Sequence, residues 1–404
     1  MARRVRGGHV PHSIRESHVT GFLAEVDRLA AALRAEDATS EGLQPRVHAV
    51  RSASACAPLE ALVEAVTRIR AAASRANDHA AGSAALLVGA LVENGAPVAL
   101  LGEWLQERLP TILSRARHFG ELCHAHATLL HPDEEDARRD EPESEELFFG
   151  DRYLPRHTLL ELASAKKHRL SGQAWFSLRL WCMPTVAVLS RDKRLRLWAK
   201  GHAEIPANLS VLRNLTAHVD WLQRLLLCPD DEPFLVLHPA TSRGYLLEVS
   251  GVAHNFQLHT LLADSLIPPT PGLLGNGPLR HGLSGQKPSP AVAKVAWGTG
   301  PRSIDEGSTG VWDLYAWTAL APDGTLPARV DPEHWVWGEG MPADIPRFEG
   351  PSVVLLGPPA YRREWSTARG FAALGVSITL KAELTPDEVS RWLTRMGRAP
   401  TRRP

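Results

Sequence analysis

Cysteine is scarce in this chain, and its few copies are not paired. The 404 residues include four cysteines that lie far apart, with no Cys-x-x-Cys motif among them. They are Cys56, Cys123, Cys182 and Cys228, each in an apolar helical context. This spacing argues against a disulfide framework and predicts reduced, buried thiols in a cytoplasmic protein.

An excess of charge of either sign is also missing. Lys and Arg together number 45, as do Asp and Glu, so the formal net charge is zero. Proteins that bind nucleic acid or an anionic membrane usually carry a strongly basic field. Two basic clusters, 166–169 and 191–196, are interpreted as solvated helix faces. The sequence therefore argues against nucleic acid as a partner.

No apolar run is long enough to cross a membrane. The most apolar window, Ala84 to Leu101, is interrupted by four helix-disfavouring or polar residues, Glu93, Asn94, Gly95 and Pro97. This pattern predicts two short buried helices around a turn. The basic start, Met1 to Arg6, is not followed by the apolar core of a signal peptide. We expect no association with a membrane.

The composition changes near residue 230. The first 230 residues hold 12 Gly and 11 Pro among Ala, Leu and Arg runs with helical spacing, whereas the remaining 174 hold 19 Gly and 20 Pro among short apolar runs. The change predicts an α+β multidomain protein, in which an N-terminal all-α helical array is followed by a mixed α/β C-terminal domain.

Four segments are predicted within this plan. They are a helical domain at 1–130, an acidic linker or loop at 131–152, a second helical block at 153–230, and a mixed α/β domain at 231–404 with a Pro/Gly-rich loop at 268–290. Residues 131–151 contain ten acidic side chains and two arginines, too little apolar surface to fold alone. We expect this linker to be weakly ordered.

The C-terminal domain has a readable series of elements. Alternating apolar residues predict a hairpin over 234–250, followed by a helix over 255–267 and strands near 311–320 and 335–337. Val353–Leu356 is a strand candidate, 361–374 a helix, 376–381 a strand, and Thr385 with Glu388 forms a capping box that opens the last helix. The final strands either form a βαβ unit or flank the hairpin in a mixed sheet.

Polar residues after the hairpin form the only candidate catalytic set. Ser250, His254, His259 and Asp264 could supply a hydroxyl, imidazole and carboxylate at a strand end and helix start. Ser250 is not in a Gly-x-Ser-x-Gly elbow, because Val249 and Gly251 flank it. In the alternative interpretation, His254 and Asn255 shape a loop or cap the helix, and His259 satisfies a backbone group.

Metal and cofactor motifs are incomplete. Cys123, His124, His126 and His131 are the densest possible ligands, but a single helix cannot bring three or four of them to one zinc ion. In the segment Gly282–Ser289, Gln286 precedes Lys287 and Pro288 follows it, which removes the Gly-Lys-Ser/Thr sequence of a phosphate loop. We predict no metal and no cofactor.

Two functional classes remain. A non-catalytic interaction protein with another protein as its partner is favoured, because helical arrays offer extended surfaces and the chain lacks a complete catalytic signature. The alternative is a hydrolase-like enzyme with a histidine-containing site in the C-terminal domain. Trp335 and Trp337, two positions apart, would pack a core or line a recognition groove.

Overall fold

The computed structural model describes residues 12–35, 40–130, 146–149, 152–268, 279–360 and 364–400. The chain divides into two compact units, one ending at Gln223 and the other beginning at Arg224. The first is mainly helical and the second contains a mixed five-stranded sheet, so the predicted α+β architecture is confirmed. The division falls within the helix Asp220–Leu226, before the predicted boundary after residue 230.

The helical unit contains elements from both predicted helical blocks. In chain order they are α1 (His12–Arg34), α2 (Ser40–Ala53), α3 (Leu59–Ala73), α4 (Asp78–Glu93), α5 (Val98–Leu130), β1 (Glu146–Phe149), β2 (Arg152–Pro155), α6 (Arg156–Ser164), α7 (Arg169–Leu189), α8 (Lys193–Gly201), α9 (Glu204–Leu212) and α10 (Asp220–Leu226), which extends past the division. Helices α4 and α5 both pack on α7, so the two blocks share one core.

Close packing of α4 on α7 depends on two small residues. A Cβ atom added at Gly82 would lie 2.9 Å from Nε1 of Trp181, and one at Gly89 would lie 2.9 Å from Cβ of Pro184. Trp181 is fully buried and donates a 3.0 Å hydrogen bond to the carbonyl of Asp78 at the start of α4. The two helices are therefore locked in register at this end by a buried polar contact.

The apolar stretch 175–198 with Pro184 inside it predicts a break or two helices, and the structure contains two helices there, α7 and α8. The break does not lie at Pro184. Helix α7 continues through Pro184 to Leu189, and the chain turns at Ser190–Asp192 instead. Pro184 is buried beside Gly89, whose missing side chain makes room for the ring. This packing stabilises the helix enough to tolerate the absent amide donor.

A short hairpin lies inside the predicted acidic linker. Strand β1 pairs with β2 in antiparallel register, with Phe149 opposite Arg152. The Phe149 ring is buried and stacks on Trp175 with ring centroids 5.0 Å apart. The hairpin begins where the acidic sequence gives way to apolar residues, and burial of Phe149 stabilises it. Residues 131–145, which hold most of the predicted linker, lie outside the described residues.

The second unit is built on a sheet with the strand order β6-β7-β3-β4-β9. Its elements are β3 (Glu232–His238), β4 (Arg243–Ser250), α11 (Asn255–Leu266), α12 (Pro290–Ala296), β5 (Ser303–Thr309), β6 (Asp313–Ala316), β7 (Ser352–Gly357), β8 (Glu364–Ala368), β9 (Ser377–Leu384) and α13 (Pro386–Arg398). Alternate residues of β3 face two separate cores: Phe234 and Val236 pack with α11, and Leu235 and Leu237 pack with α13.

The sheet decides between the two arrangements predicted for the end of the chain. Strand β7 runs parallel to β3, with Leu235 opposite Val353, and β9 runs antiparallel to β4, with Glu248 opposite Thr379. The final strands thus flank the hairpin in a mixed sheet and do not form an adjacent βαβ pair. The capping box that opens α13 is confirmed, since Thr385 and Glu388 exchange side-chain to backbone hydrogen bonds.

Two local predictions in this unit are wrong. The predicted helix 361–374 contains strand β8, which pairs with β5 in a separate two-stranded sheet. Pairing with a distant strand outweighs the weak helical spacing here. The predicted strand 335–337 is reduced to a single bridge between Trp335 and Tyr315, because the chain turns away at Gly338. Residues 361–363 lie outside the described part of the chain.

Candidate functional site

His254, the first of the predicted catalytic residues, is the N-cap of α11. Its Nδ1 accepts a 3.1 Å hydrogen bond from the amide of Gln257, so its Nε2 carries the proton and donates to the carbonyl of Ala368 at 3.1 Å. Burial lowers the pKa of His254, and nearby Arg224 lowers it further, although the bond to Ala368 acts in the opposite direction. The imidazole is therefore held neutral in one tautomer.

Ser250 lies at the end of β4 and is bonded to a carboxylate. Its hydroxyl donates to Oδ1 of Asp231 at 2.5 Å and accepts from the amide of Asp231 at 2.6 Å. Asp231 has a φ of 55°, a left-handed conformation that side chains rarely adopt without local hydrogen bonds. The structure thus uses the Ser250 hydroxyl to hold a turn before β3.

His259 and Asp264 face other neighbours. The buried His259 ring bonds through Nε2 to the carbonyl of Trp312 at 2.9 Å. Asp264 accepts from Nε1 of Trp297 at 2.7 Å and pairs with Nζ of Lys287 at 3.3 Å. The structure thus gives each of the four predicted residues its own hydrogen-bond partners and does not join them in a hydroxyl–imidazole–carboxylate relay.

Hydrogen bonds connect the start of α11 to the loop 337–340. The amides of Asn255 and Phe256 donate to the carbonyls of Gly340 and Gly338, at 2.9 and 3.0 Å, and the Asn255 side chain donates to the Trp337 carbonyl at 2.8 Å. A cavity of about 10 Å³ remains beside Asn255 and His259. This volume suits a single water molecule and is too small for a substrate.

The neutral state of His254 predicts a pH effect on stability. In the unfolded chain, a histidine takes up a proton below a pKa of about 6.5. In the folded chain, the pKa of His254 is lower, so protonation favours the unfolded state. The contribution of neutral His254 to the free energy of unfolding is therefore fully present above about pH 6.5 and is lost as the pH falls toward the native pKa. His254→Asn keeps an N-cap acceptor but loses the Ala368 bond, so we expect a cost of about 1 kcal/mol at pH 7.5.

The measurement is urea unfolding of both proteins between pH 7.5 and 5.5. The difference between them should shrink as the pH falls, because only the wild type carries the His254 penalty. Burial also lowers the pKa of His238, but this residue is present in both proteins and cancels in the comparison. A constant difference across the range would show that His254 does not titrate differently in the folded chain.

A cavity large enough for a ligand lies in the helical unit. Its volume is about 1030 Å³, and we call it the arginine cavity. Its described lining comes from the end of α1, the α3–α4 connection, α5 and the start of α7: Leu33, Arg34, Ala35, Ala71, Ala72, Ser74, Arg75, Ala76, Asn77, Asp78, Arg108, Arg115, Arg169, Leu170 and Gln173. The described lining thus contains five arginines and one aspartate.

Asp78 fixes two of these arginines. Its side chain is only 6% exposed, and its carboxylate lies 3.1 Å from Nη1 of Arg115 and 3.7 Å from Nη1 of Arg108. Arg108 also donates to the carbonyl of Ser74 at 2.8 Å. Arg108 and Arg115 are two turns apart on α5, so both guanidinium groups extend from the same face of that helix toward the cavity.

The other three arginines are exposed and have no charge partner among the described residues. Arg34, Arg75 and Arg169 form no ion pair and no side-chain hydrogen bond within the part of the chain that the structure describes. Like charges that converge on one concave surface raise the local concentration of anions. The arginine cavity is therefore suited to hold a negatively charged group.

Sequence analysis missed this site. The five arginines are scattered from position 34 to position 169 over four parts of the fold, and only Arg108 and Arg115 share a helix. Of the five, only Arg169 belongs to a basic cluster in the sequence, 166–169, and that cluster predicts a solvated helix face. The sequence signal for the site is an excess of arginine near helix ends. That signal identifies a shared site only when the positions of the helices are known.

The possible metal ligands on α5 have structural partners. Cys123 is buried, which raises the pKa of its thiol to about 12, and Nδ1 of His124 bonds to the carbonyl of Phe149 at 2.9 Å. His131 lies outside the described residues. Within the described ranges, no group of three or more His, Cys, Asp or Glu side chains is arranged to hold a metal ion.

Among the helices that the structure describes, none combines the length and apolar character needed to span a bilayer. Comparison of the chain with protein-family models, with curated proteins and with solved structures finds no match. The arginine cavity is therefore interpreted from its own chemistry alone.

Proposed function

We propose that this protein is a non-catalytic binding protein whose helical unit recognises an anionic ligand in the arginine cavity. The observation that supports the proposal is the convergence of five arginines on one cavity, three of them without a partner in the described part of the chain. Guanidinium groups match carboxylate and phosphate oxygens in a bidentate geometry, which gives both affinity and orientation.

The lining supports binding more than chemistry. Among the described lining residues, Asp78 carries the one carboxylate, and that carboxylate is already paired with two arginines. The hydroxyl of Ser74 donates to the carbonyl of Ala71 at 2.9 Å, so it is not activated by a base. His254 and His259 are assigned a structural role in this proposal, since each bonds a backbone carbonyl.

The same proposal places the protein in the cytoplasm. Cys123, Cys182 and Cys228 are buried as predicted, whereas Cys56 is exposed, so the prediction of a buried thiol is wrong for that residue. Burial raises the pKa of Cys123 and of Cys182 to about 12, which keeps both thiols protonated and unreactive. Another protein with an acidic surface group and a small anionic molecule both remain compatible with the cavity, because they present the same chemistry to the arginines.

Thermal unfolding tests the proposal. An anion that binds the folded helical unit raises its midpoint, by roughly 5–10 °C at a hundred times its Kd. We expect this shift with tripolyphosphate, hexaglutamate or heparin for the wild type, and its loss in the double variant Arg75→Gln/Arg169→Gln. Helical circular dichroism follows the transition and shows whether the variant is folded.

The matched control is Arg194→Gln/Arg213→Gln. It removes the same charge from exposed arginines of the helical unit that lie outside the cavity and have no partner among the described residues. The control should keep the full shift. An equal loss of the shift in both double variants would mean that the anions respond to net charge and not to the cavity, and the proposal would fail.

Asp78→Asn provides a second prediction, with effects of opposite sign. Removing the carboxylate leaves Arg108 and Arg115 without their partner, so we expect the free energy of unfolding to fall by about 1–2 kcal/mol. Anion affinity should rise by roughly three- to tenfold, because a negative charge leaves the cavity. Urea unfolding and calorimetric titration measure the two effects; a decrease in affinity would contradict the electrostatic account.

A further inference from the structure

We propose that the ligand of the arginine cavity is a compact small molecule that carries several phosphate groups and no aromatic base. This inference rests on the proposed function and specifies its ligand. It depends on three features of the cavity: the direction from which the charges come, the uncapped start of α7, and the character of the remaining lining residues.

The arginines of the lining come from four separate parts of the fold and not from one continuous element. Arg34 ends α1, Arg75 lies between α3 and α4, Arg108 and Arg115 belong to α5, and Arg169 begins α7. An extended polyanion needs a groove with charges along its length. Arginines that approach one volume from four parts of the fold instead favour a compact anion with high charge density, and each phosphate can carry two negative charges.

Backbone donors add to the arginines at one end of the cavity. Helix α7 has 21 residues, and its N-cap, His168, makes no side-chain capping bond. The first intrahelical bond that reaches His168 comes from the amide of Gly172, so the amides of Arg169 and Leu170 have no acceptor within the helix. Both residues line the cavity. Helix starts bind phosphate through such amides, assisted by the helix dipole.

The described lining contains no aromatic side chain. Apart from the charged residues, it consists of Leu33, Leu170, four alanines and the polar Ser74, Asn77 and Gln173. Proteins that bind nucleotides or single-stranded nucleic acid without sequence specificity stack the bases on aromatic rings. The amide and hydroxyl groups present here suit phosphate or sugar oxygens, so a nucleobase contributes nothing to the expected affinity.

Isothermal titration of the full chain with tripolyphosphate, ATP and hexaglutamate tests the inference. We expect tripolyphosphate to bind the wild type more tightly than hexaglutamate does, and ATP to bind no more tightly than tripolyphosphate. Affinity for tripolyphosphate should fall about tenfold or more in Arg75→Gln/Arg169→Gln, because each guanidinium makes charge-assisted bonds. It should change less than twofold in Arg194→Gln/Arg213→Gln.

The outcomes separate the inference from the function on which it rests. If hexaglutamate binds and depends on Arg75 and Arg169 while tripolyphosphate does not, the ligand class is overturned and the binding function stands. If ATP binds ten times more tightly than tripolyphosphate, a base is recognised and the inference is also overturned. If no probe binds, or if both double variants lose affinity equally, the inference and the proposed function fall together.

Discussion

Gly251→Ala is expected to destabilise the sheet of the second unit by about 3–5 kcal/mol. Gly251 follows β4 with a φ of 73°, and its amide donates to the carbonyl of Pro229 at 2.8 Å. An added Cβ would lie 1.9 Å from the carbonyl oxygen of Gly375, just before β9. The left-handed conformation costs alanine about 1–2 kcal/mol. The rest of the loss comes from the contact with Gly375, because the atom in contact belongs to the backbone and cannot move aside as a flexible side chain could.

Peptide-resolved hydrogen exchange measures this effect at its source. Protection should fall first in β4 and β9, the two strands whose approach the methyl group prevents. The control is Gly350→Ala, in the same unit, where φ is 125° but no atom lies within 4 Å of the added Cβ. The φ of Gly350 is at least as unfavourable for alanine as that of Gly251, so the close approach to Gly375 would be contradicted if Gly251→Ala lost no more stability than about the 1–2 kcal/mol of the backbone conformation.

Trp181→Ala should be the most damaging single change in the helical unit, with a loss of about 3–5 kcal/mol. The side chain is fully buried, packs edge-on against Trp104 with ring centroids 5.6 Å apart, and bonds to the carbonyl of Asp78.

Two further variants separate the contribution of apolar packing at Trp181 from that of its hydrogen bond. Trp181→Phe keeps most of the apolar surface and removes the donor, so it should cost about 1 kcal/mol. Trp221→Ala removes a tryptophan of the same unit that is 49% exposed, and we expect a cost well below that of Trp181→Ala. Urea unfolding gives the ranking. A phenylalanine variant as unstable as the alanine variant would assign the whole effect to the hydrogen bond.

Local signals in the sequence predicted local structure well. Thr385 and Glu388 specify a helix start through contacts three residues apart, and alternation over 234–250 specifies a hairpin. The start of α11 was located correctly, since polar residues concentrate there. Their arrangement was beyond the sequence, because the partners of His254 and His259 are carbonyls at Ala368 and Trp312, far along the chain.

Long-range pairing explains the remaining errors. Residues 364–368 have weak local preferences, so their strand depends on the position of β5, which only the folded chain defines. The arginine cavity has the same character. Arg75 and Arg169 are ordinary surface residues in any local window, and they acquire a shared role only when α3, α4 and α7 assemble.

The parallel pairing of β3 with β7 has a consequence for biosynthesis. Phe234 pairs with Ser352, so the centre of the sheet cannot form until residue 352 has been synthesised. At ordinary rates of translation the delay is on the order of ten seconds. During this interval the apolar faces of the β3–β4 hairpin have no cover from β7 or α13, while the helical unit, already synthesised, can fold through nearer contacts. The second half therefore leaves the ribosome with the centre of its sheet incomplete, and it completes that sheet only after residue 352 has been synthesised.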